Sequence, residues 1–108
     1  MTIKRLEPQN THKDARRKVV QLFTAPFNTP NFYQIQKGST LGDHFHKKNH
    51  EYFFILKGVL KINGELFTKH SLFLVEPHIK HTVEAISDVE MMTFNTHAYT
   101  PTDTDTYK

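Results

Sequence analysis

Short apolar or β-branched runs alternate with turn residues along most of this chain. The runs cover residues 19–23, 32–36, 52–56, 59–62, 66–68, 72–75, 81–85 and 89–94. Their length and spacing predict strands of an antiparallel barrel or sandwich. One hairpin is nearly explicit: Asn63-Gly64, between Leu60-Lys61-Ile62 and Glu65-Leu66-Phe67, supplies the two positive-φ residues of a type I′ turn. Gly58 marks the bend before it. No segment holds a long 3.6-residue apolar period, and Pro26, Pro30, Pro77 and Pro101 leave little room for long helices. The pattern divides the chain into a polar arm at 1–15, a β-barrel domain at 16–99 and a Thr/Asp tail outside the core at 100–108.

Composition narrows the picture. A chain of 108 residues is one domain with a thin core. No stretch reaches the roughly 18 apolar residues of a membrane span, and Met1 to Pro8 lacks the apolar core of a signal peptide, so the expectation is a cytoplasmic protein with no membrane partner. The net charge of +3 comes from scattered lysines and a basic run at 12–18. Without a nucleic-acid motif this reads as solvated surface with some attraction for anionic small molecules, and no nucleic-acid partner is expected.

Candidate chemistry comes from the eight histidines and the absence of cysteine. Any metal would have to be held by imidazole and carboxylate. In a strand, His44 and His46 project from one face while Phe45 points away, so both imidazoles can serve one site. After a turn at Lys47-Lys48-Asn49, Glu51 opens the next strand and can reach back, with Phe53 and Ile55 following it inward. A His-x-His pair alone is weak evidence, since about 0.6 such pairs arise by chance in this composition. Adding the glutamate and two flanking glycines at their offsets lowers the expectation to about 4 × 10⁻⁵.

Gly38, His44, His46, Glu51 and Gly58 reproduce the spacing of the first motif of the cupin superfamily, which the chain therefore resembles. The resemblance spans residues 19–97 and implies a single-domain antiparallel β-barrel, the double-stranded β-helix or jelly roll. It also implies a fourth ligand at His81. The second motif is degenerate: His70 stands for its first glycine, Glu76 for its proline, His78 for its turn glycine and Ala85 for its closing asparagine. His44, His46, Glu51 and His81 together suit a divalent iron, manganese, nickel, cobalt or zinc ion with open positions for chemistry. His50 is expected to face outward, His12, His70 and His78 to lie in turns or on the surface, and His97 in a loop near the barrel mouth.

A second resemblance concerns cupins that isomerise or epimerise nucleotide-linked sugars. It rests on Asp14-Ala15-Arg16-Arg17, Phe32-Tyr33, His44-Phe45-His46-Lys47 and Tyr99-Thr100-Pro101-Thr102-Asp103. In the ketoisomerases among them, paired histidines move protons without metal. Those enzymes place an arginine before the histidine pair, where this chain offers Gln34, Gln36 or Lys37, and carry no glutamate at the place of Glu51.

The leading expectation is thus an enzyme acting at a metal, with His44, His46 and Glu51 as its catalytic groups, on a small oxygen-rich substrate such as a sugar derivative. Two alternatives stand beside it: a non-catalytic module that senses a small molecule, and a metal-independent isomerase using His44 or His46 as acid and base. His50 and His97 are further candidate bases, and Lys37, Lys47 and Lys48 candidate contacts to an anionic group. Phe45, Tyr52, Phe54, Phe67, Phe73 and Phe94 are too many aromatics for one thin core. Outward ones such as Tyr52 and Phe54 suggest a homodimer interface.

Overall fold

Period-two burial is clearest in β6 (Glu51–Lys57) and β11 (Val89–Asn95), where buried and half-buried residues alternate along almost the whole strand. The structure, a computed structural model, describes residues 3–98 and 100–108. Tyr99, part of the second resemblance and the last residue of the expected barrel segment, lies outside the described residues.

The two patterned strands lie side by side in a five-stranded antiparallel sheet ordered β1 (Lys4–Leu6), β9 (Leu72–Val75), β6, β11 and β4 (Thr29–Ile35). A four-stranded sheet runs β5 (Thr40–His44), β10 (His81–Ala85), β7 (Leu60–Ile62), β8 (Glu65–Phe67). Inward residues of both sheets form one core: Ile55, Phe73 and Met91 from the first meet Ile62, Phe67 and Val83 from the second. This is the jelly roll expected from the sequence. Phe73 stacks on Phe53 at 4.7 Å and touches Phe67 at 4.1 Å between ring centroids, so the aromatic centre welds the two sheets. No helix among the described residues is long and apolar enough to cross a membrane.

The turns follow the sequence chemistry. Asn63 and Gly64 take φ of 50° and 83°, and the β7–β8 hairpin closes on them as expected. Gly58 sits at φ 95°, where an added Cβ would stand 2.1 Å from the Asp88 carbonyl oxygen, so no other residue fits that bend.

Tyr52 and Phe94 do point outward, as their alternation requires, but the chain covers part of that face itself. Phe23 stacks on Tyr52 at 4.2 Å, and Phe23 and Phe27 meet Phe94 edge-on at 5.4 and 5.3 Å. The segment read as an arm is also paired: residues 4–6 join β9, and β2 (Gln9–Lys13) forms an exposed hairpin with β3 (Lys18–Gln21). Residues 100–108, read as a tail, fold back on the body. Phe45 bridges to Tyr107, and Asp105 is only 2 % exposed.

A gradient of polarity places the site. On β6 the inward residues run Ile55, Phe53, Glu51; beside them on β11 run Met91, Thr93, Asn95; and on β4 run Ile35, Tyr33, Asn31, Thr29. Apolar at one end and polar at the other, these rows seal the bottom of the sandwich and open its top.

Candidate active site

His44, the last residue of β5, pairs with His81, the first of β10. The ladder slips between His81 and Thr82, and the residue in the slip, Asp43, takes φ of 69°. This bulge re-aims the end of β5 toward the open top of the sandwich. His46 lies past the end of β5. Phe45 N–H donates to the Tyr107 carbonyl at 2.8 Å and Tyr107 N–H to the Phe45 carbonyl at 3.0 Å, which carries the extended geometry one residue further. His44 and His46 therefore share one side, as their spacing predicts, with ring centroids 5.1 Å apart. His81 joins them at 4.5 Å from His44 and 5.5 Å from His46.

The degenerate second motif delivers His81 because two histidines adopt the backbone of the glycines they replace. His70 and His78 hold φ of 68° and 71°, in the left-handed region. His78 N–H also donates to the His46 carbonyl at 2.6 Å, which ties the second motif's turn to the first motif.

His44, His46, Glu51 and His81 line a cavity of about 390 Å³ together with Thr29, Asn31, Tyr33, Asn49 and Asn95. Glu51 is buried, and its Oε1 stands 3.5 Å from His46 Nε2 and 3.7 Å from His81 Nε2. Both separations exceed an ordinary N–H···O bond, and neither His46 Nε2 nor Glu51 Oε1 has another hydrogen-bond partner. With His46 the attraction is that of a buried ion pair. His46 Nδ1 donates at 2.7 Å to the Asp105 carbonyl, and His81 Nδ1 at 3.1 Å to the Ile79 carbonyl.

The surroundings separate the imidazoles chemically. Burial pulls the His46 pKa down, but Glu51 and the Asp105 carbonyl more than offset it, and the net position is above the ordinary 6.5. Burial lowers His44, and the neighbouring His81 and His46 push it the same way. Burial also lowers His81, against the pull of the Ile79 carbonyl and Glu51. Tyr33 is raised by burial and then by the Glu51 charge. One cavity thus holds a half-exposed imidazole of lowered basicity beside one of raised basicity.

Tyr33, Asn95 and Asp105 did not stand out as site residues in the sequence. The signal for the first two was present: polar side chains at positions that alternation assigns to the inside. Asp105 sits in the strict Thr/Asp alternation of 102–106, itself a period-two pattern. Among the other candidates, His97 lines the cavity and pairs with Asp103 at 3.4 Å, while His50 does not line it. Lys37, Lys47 and Lys48 are absent from its wall; Lys47 covers the Tyr107 ring and Lys48 pairs with Asp103.

No protein-family model matches the sequence, and no curated protein matches it. Solved structures do. A dTDP-4-dehydrorhamnose 3,5-epimerase of Bacillus anthracis, with TDP and PPi bound, matches with a TM-score of 0.75 at 16% identity, over 96% of this chain and 76% of that one. A 3,4-ketoisomerase of Helicobacter canadensis matches with a TM-score of 0.74 at 13% identity, over 97% and 87%. The dTDP-6-deoxy-D-glucose-3,5-epimerase RmlC of Legionella pneumophila, in complex with dTDP-4-keto-L-rhamnose, matches with a TM-score of 0.73 at 18% identity, over 93% and 69%.

These likenesses overturn the expected divalent metal at His44, His46, Glu51 and His81. The matching structures are epimerases and ketoisomerases that act on TDP-sugars without a metal. The geometry supplies a physical reason. The ring nitrogens of His44, His46 and His81 lie within 4.8 Å of one another, but Glu51 is not part of that set and instead serves as the counter-charge of His46. The two facing sheets, the histidine pair at their open end and the structures that match them together give the chain the cupin fold, in the form taken by the sugar-nucleotide epimerases and ketoisomerases.

Proposed function

We propose that this chain is a metal-independent isomerase or epimerase of nucleotide-linked keto-sugars. The observation that carries the reading is the pairing of His44 and His46 in one cavity, with Glu51 3.5 Å from His46 alone of the two. A carbon next to a keto group loses its proton readily only if a base is neutral and the resulting enolate meets positive charge. His44 is half-exposed to the cavity and kept neutral by burial, so it takes the proton. His46, whose charged form Glu51 favours, stabilises the enolate oxygen electrostatically from the cavity wall. Delivery of a solvent proton to the opposite face of the same carbon gives the epimer; passage of that carbon's hydroxyl proton to the enolate oxygen, followed by protonation of the former carbonyl carbon, moves the keto group.

The substrate class is drawn from the solved structures that hold TDP or dTDP-sugars and match this fold. The polar rim of Thr29, Asn31, Asn49 and Asn95 suits sugar hydroxyls. The reading includes a homodimer, supported by Phe32, 54 % exposed on the edge strand β4, and by Val19 and Val20 on the exposed hairpin. The experiment is to incubate the purified protein with a panel of TDP-linked keto-sugars in D₂O and follow the carbons beside the keto group by NMR. Deuterium incorporation with formation of an isomer supports the reading; binding without exchange across the panel would make the protein a sensing module.

A further inference from the structure

Asp105 is the more buried of the two acids that the fold encloses, at 2 % exposure against 8 % for Glu51, yet it lies in the segment that composition marks as a tail. Its carboxylate accepts three backbone N–H groups in a row, from Lys47 at 3.1 Å, Lys48 at 2.9 Å and Asn49 at 2.8 Å. Its carbonyl accepts the Nδ1–H of His46 at 2.7 Å. A carbonyl can only accept, so this bond puts a proton on Nδ1 and turns Nε2 toward Glu51. The residue sits at φ of 51°, a conformation that Asp and Asn tolerate better than other side chains. Its neighbours Thr104 and Thr106 line the cavity.

Two more residues hold the segment. Asp103 pairs with Lys48 at 3.0 Å and with His97 at 3.4 Å, and Tyr107 pairs with Phe45 through both backbone bonds. Phe45 lies between the two histidines, Lys48 lies in the turn that joins them to Glu51, and His97 N–H donates to the Asn49 side chain in that turn. With β5 ending at His44, this returning segment supplies the backbone pairing at Phe45, between the two histidines.

We infer that Asp105 is a positioning residue, which fixes the ring and tautomer of His46 and seats Thr104 and Thr106 as a substrate-contacting wall. The inference about catalysis rests on the isomerase reading above; the one about His46 does not. In a site that works through the charge on one imidazole, loss of its orienting partner costs turnover before it costs binding.

The test joins NMR of the His46 ring with kinetics on TDP-linked keto-sugars. Wild type should show a slowly exchanging downfield Nδ1–H signal for His46, with a nuclear Overhauser contact to Asp105. In Asp105→Ala that signal should be lost and kcat should fall at least about tenfold, in line with other orienting partners. Asp105→Asn, which keeps the backbone preference and one acceptor oxygen, should recover part of both. Thr104→Ala and Thr106→Ala should raise KM about threefold or more and leave kcat within about twofold.

A folded Asp105→Ala protein with an unchanged His46 signal and unchanged kcat would overturn the inference. Should that variant fail to fold, the wild-type spectrum decides: absence of an Nδ1–H signal in contact with Asp105 overturns the assignment. A His46 signal that behaves as described in a protein that exchanges no keto-sugar supports the positioning role and removes the isomerase reading instead.

Discussion

His44 and His46 stand with their rings 5.1 Å apart, and the fold drives their basicities in opposite directions. Both are partly desolvated, but only His46 faces the Glu51 carboxylate and donates to the Asp105 carbonyl. The consequence is a bell-shaped pH profile. Turnover rises as pH increases through the depressed pKa of His44, which must be neutral, and falls as pH passes the raised pKa of His46, which must be charged. The plateau should span 6.5, with one limb on each side, in kcat measured against pH. A single limb, or two limbs on the same side of 6.5, contradicts the division of roles.

Replacing Glu51 by Gln keeps the shape and removes the counter-charge. His46 then loses the contact that offsets its burial, so its pKa falls and the alkaline limb moves to lower pH. The same change alters stability. A histidine with a raised folded pKa contributes stability that is present below the unfolded value and lost as pH rises through the folded one. Wild type should therefore lose its stability advantage over Glu51→Gln as pH rises past that point, in thermal melts of the two proteins side by side.

His78 holds φ of 71° although it carries a Cβ. Left-handed backbone costs a non-glycine residue about 1–2 kcal/mol, of which the added freedom of glycine in the unfolded chain cancels about half. His78→Gly should stabilise the protein by about 0.5–1 kcal/mol, while His78→Ala, which keeps the Cβ, should not. Denaturant midpoints of the three proteins check this. His70, at φ 68°, should gain less from glycine because its ring stacks on Phe54 at 5.9 Å.

That substitution pattern explains much of what was legible in the sequence. Strand positions came through because alternation reports burial directly, and the first motif came through because five residues share fixed offsets. The second motif looked damaged because letters were compared, whereas the backbone at His70 and His78 is that of glycine. Glu51 suggested a ligand because its offset is that of a ligand; its actual neighbours, and those of His46, are set by register with β11 and by the returning segment, which spacing within one strand does not encode. Asp105 was hidden for the same reason. Its bonds to residues 47–49 span more than fifty positions.

The β2–β3 hairpin is exposed along both strands, and a two-stranded ribbon is marginally stable alone. A second copy that covers it and the Phe32 edge would account for both. Light scattering at micromolar concentration should give twice the chain mass of 12.7 kDa, and Phe32→Lys should lower it toward the monomer. A wild-type mass of one chain would remove the dimer from the proposal.

The most direct test of the account is solvent deuterium exchange into a TDP-linked keto-sugar by chelator-treated protein, compared with His44→Ala. The account predicts that exchange at the carbon beside the keto group persists in the treated wild type and drops by at least about a hundredfold in His44→Ala, the scale of a lost general base. Exchange that disappears on chelation and returns with added metal, or that survives intact in His44→Ala, would contradict it.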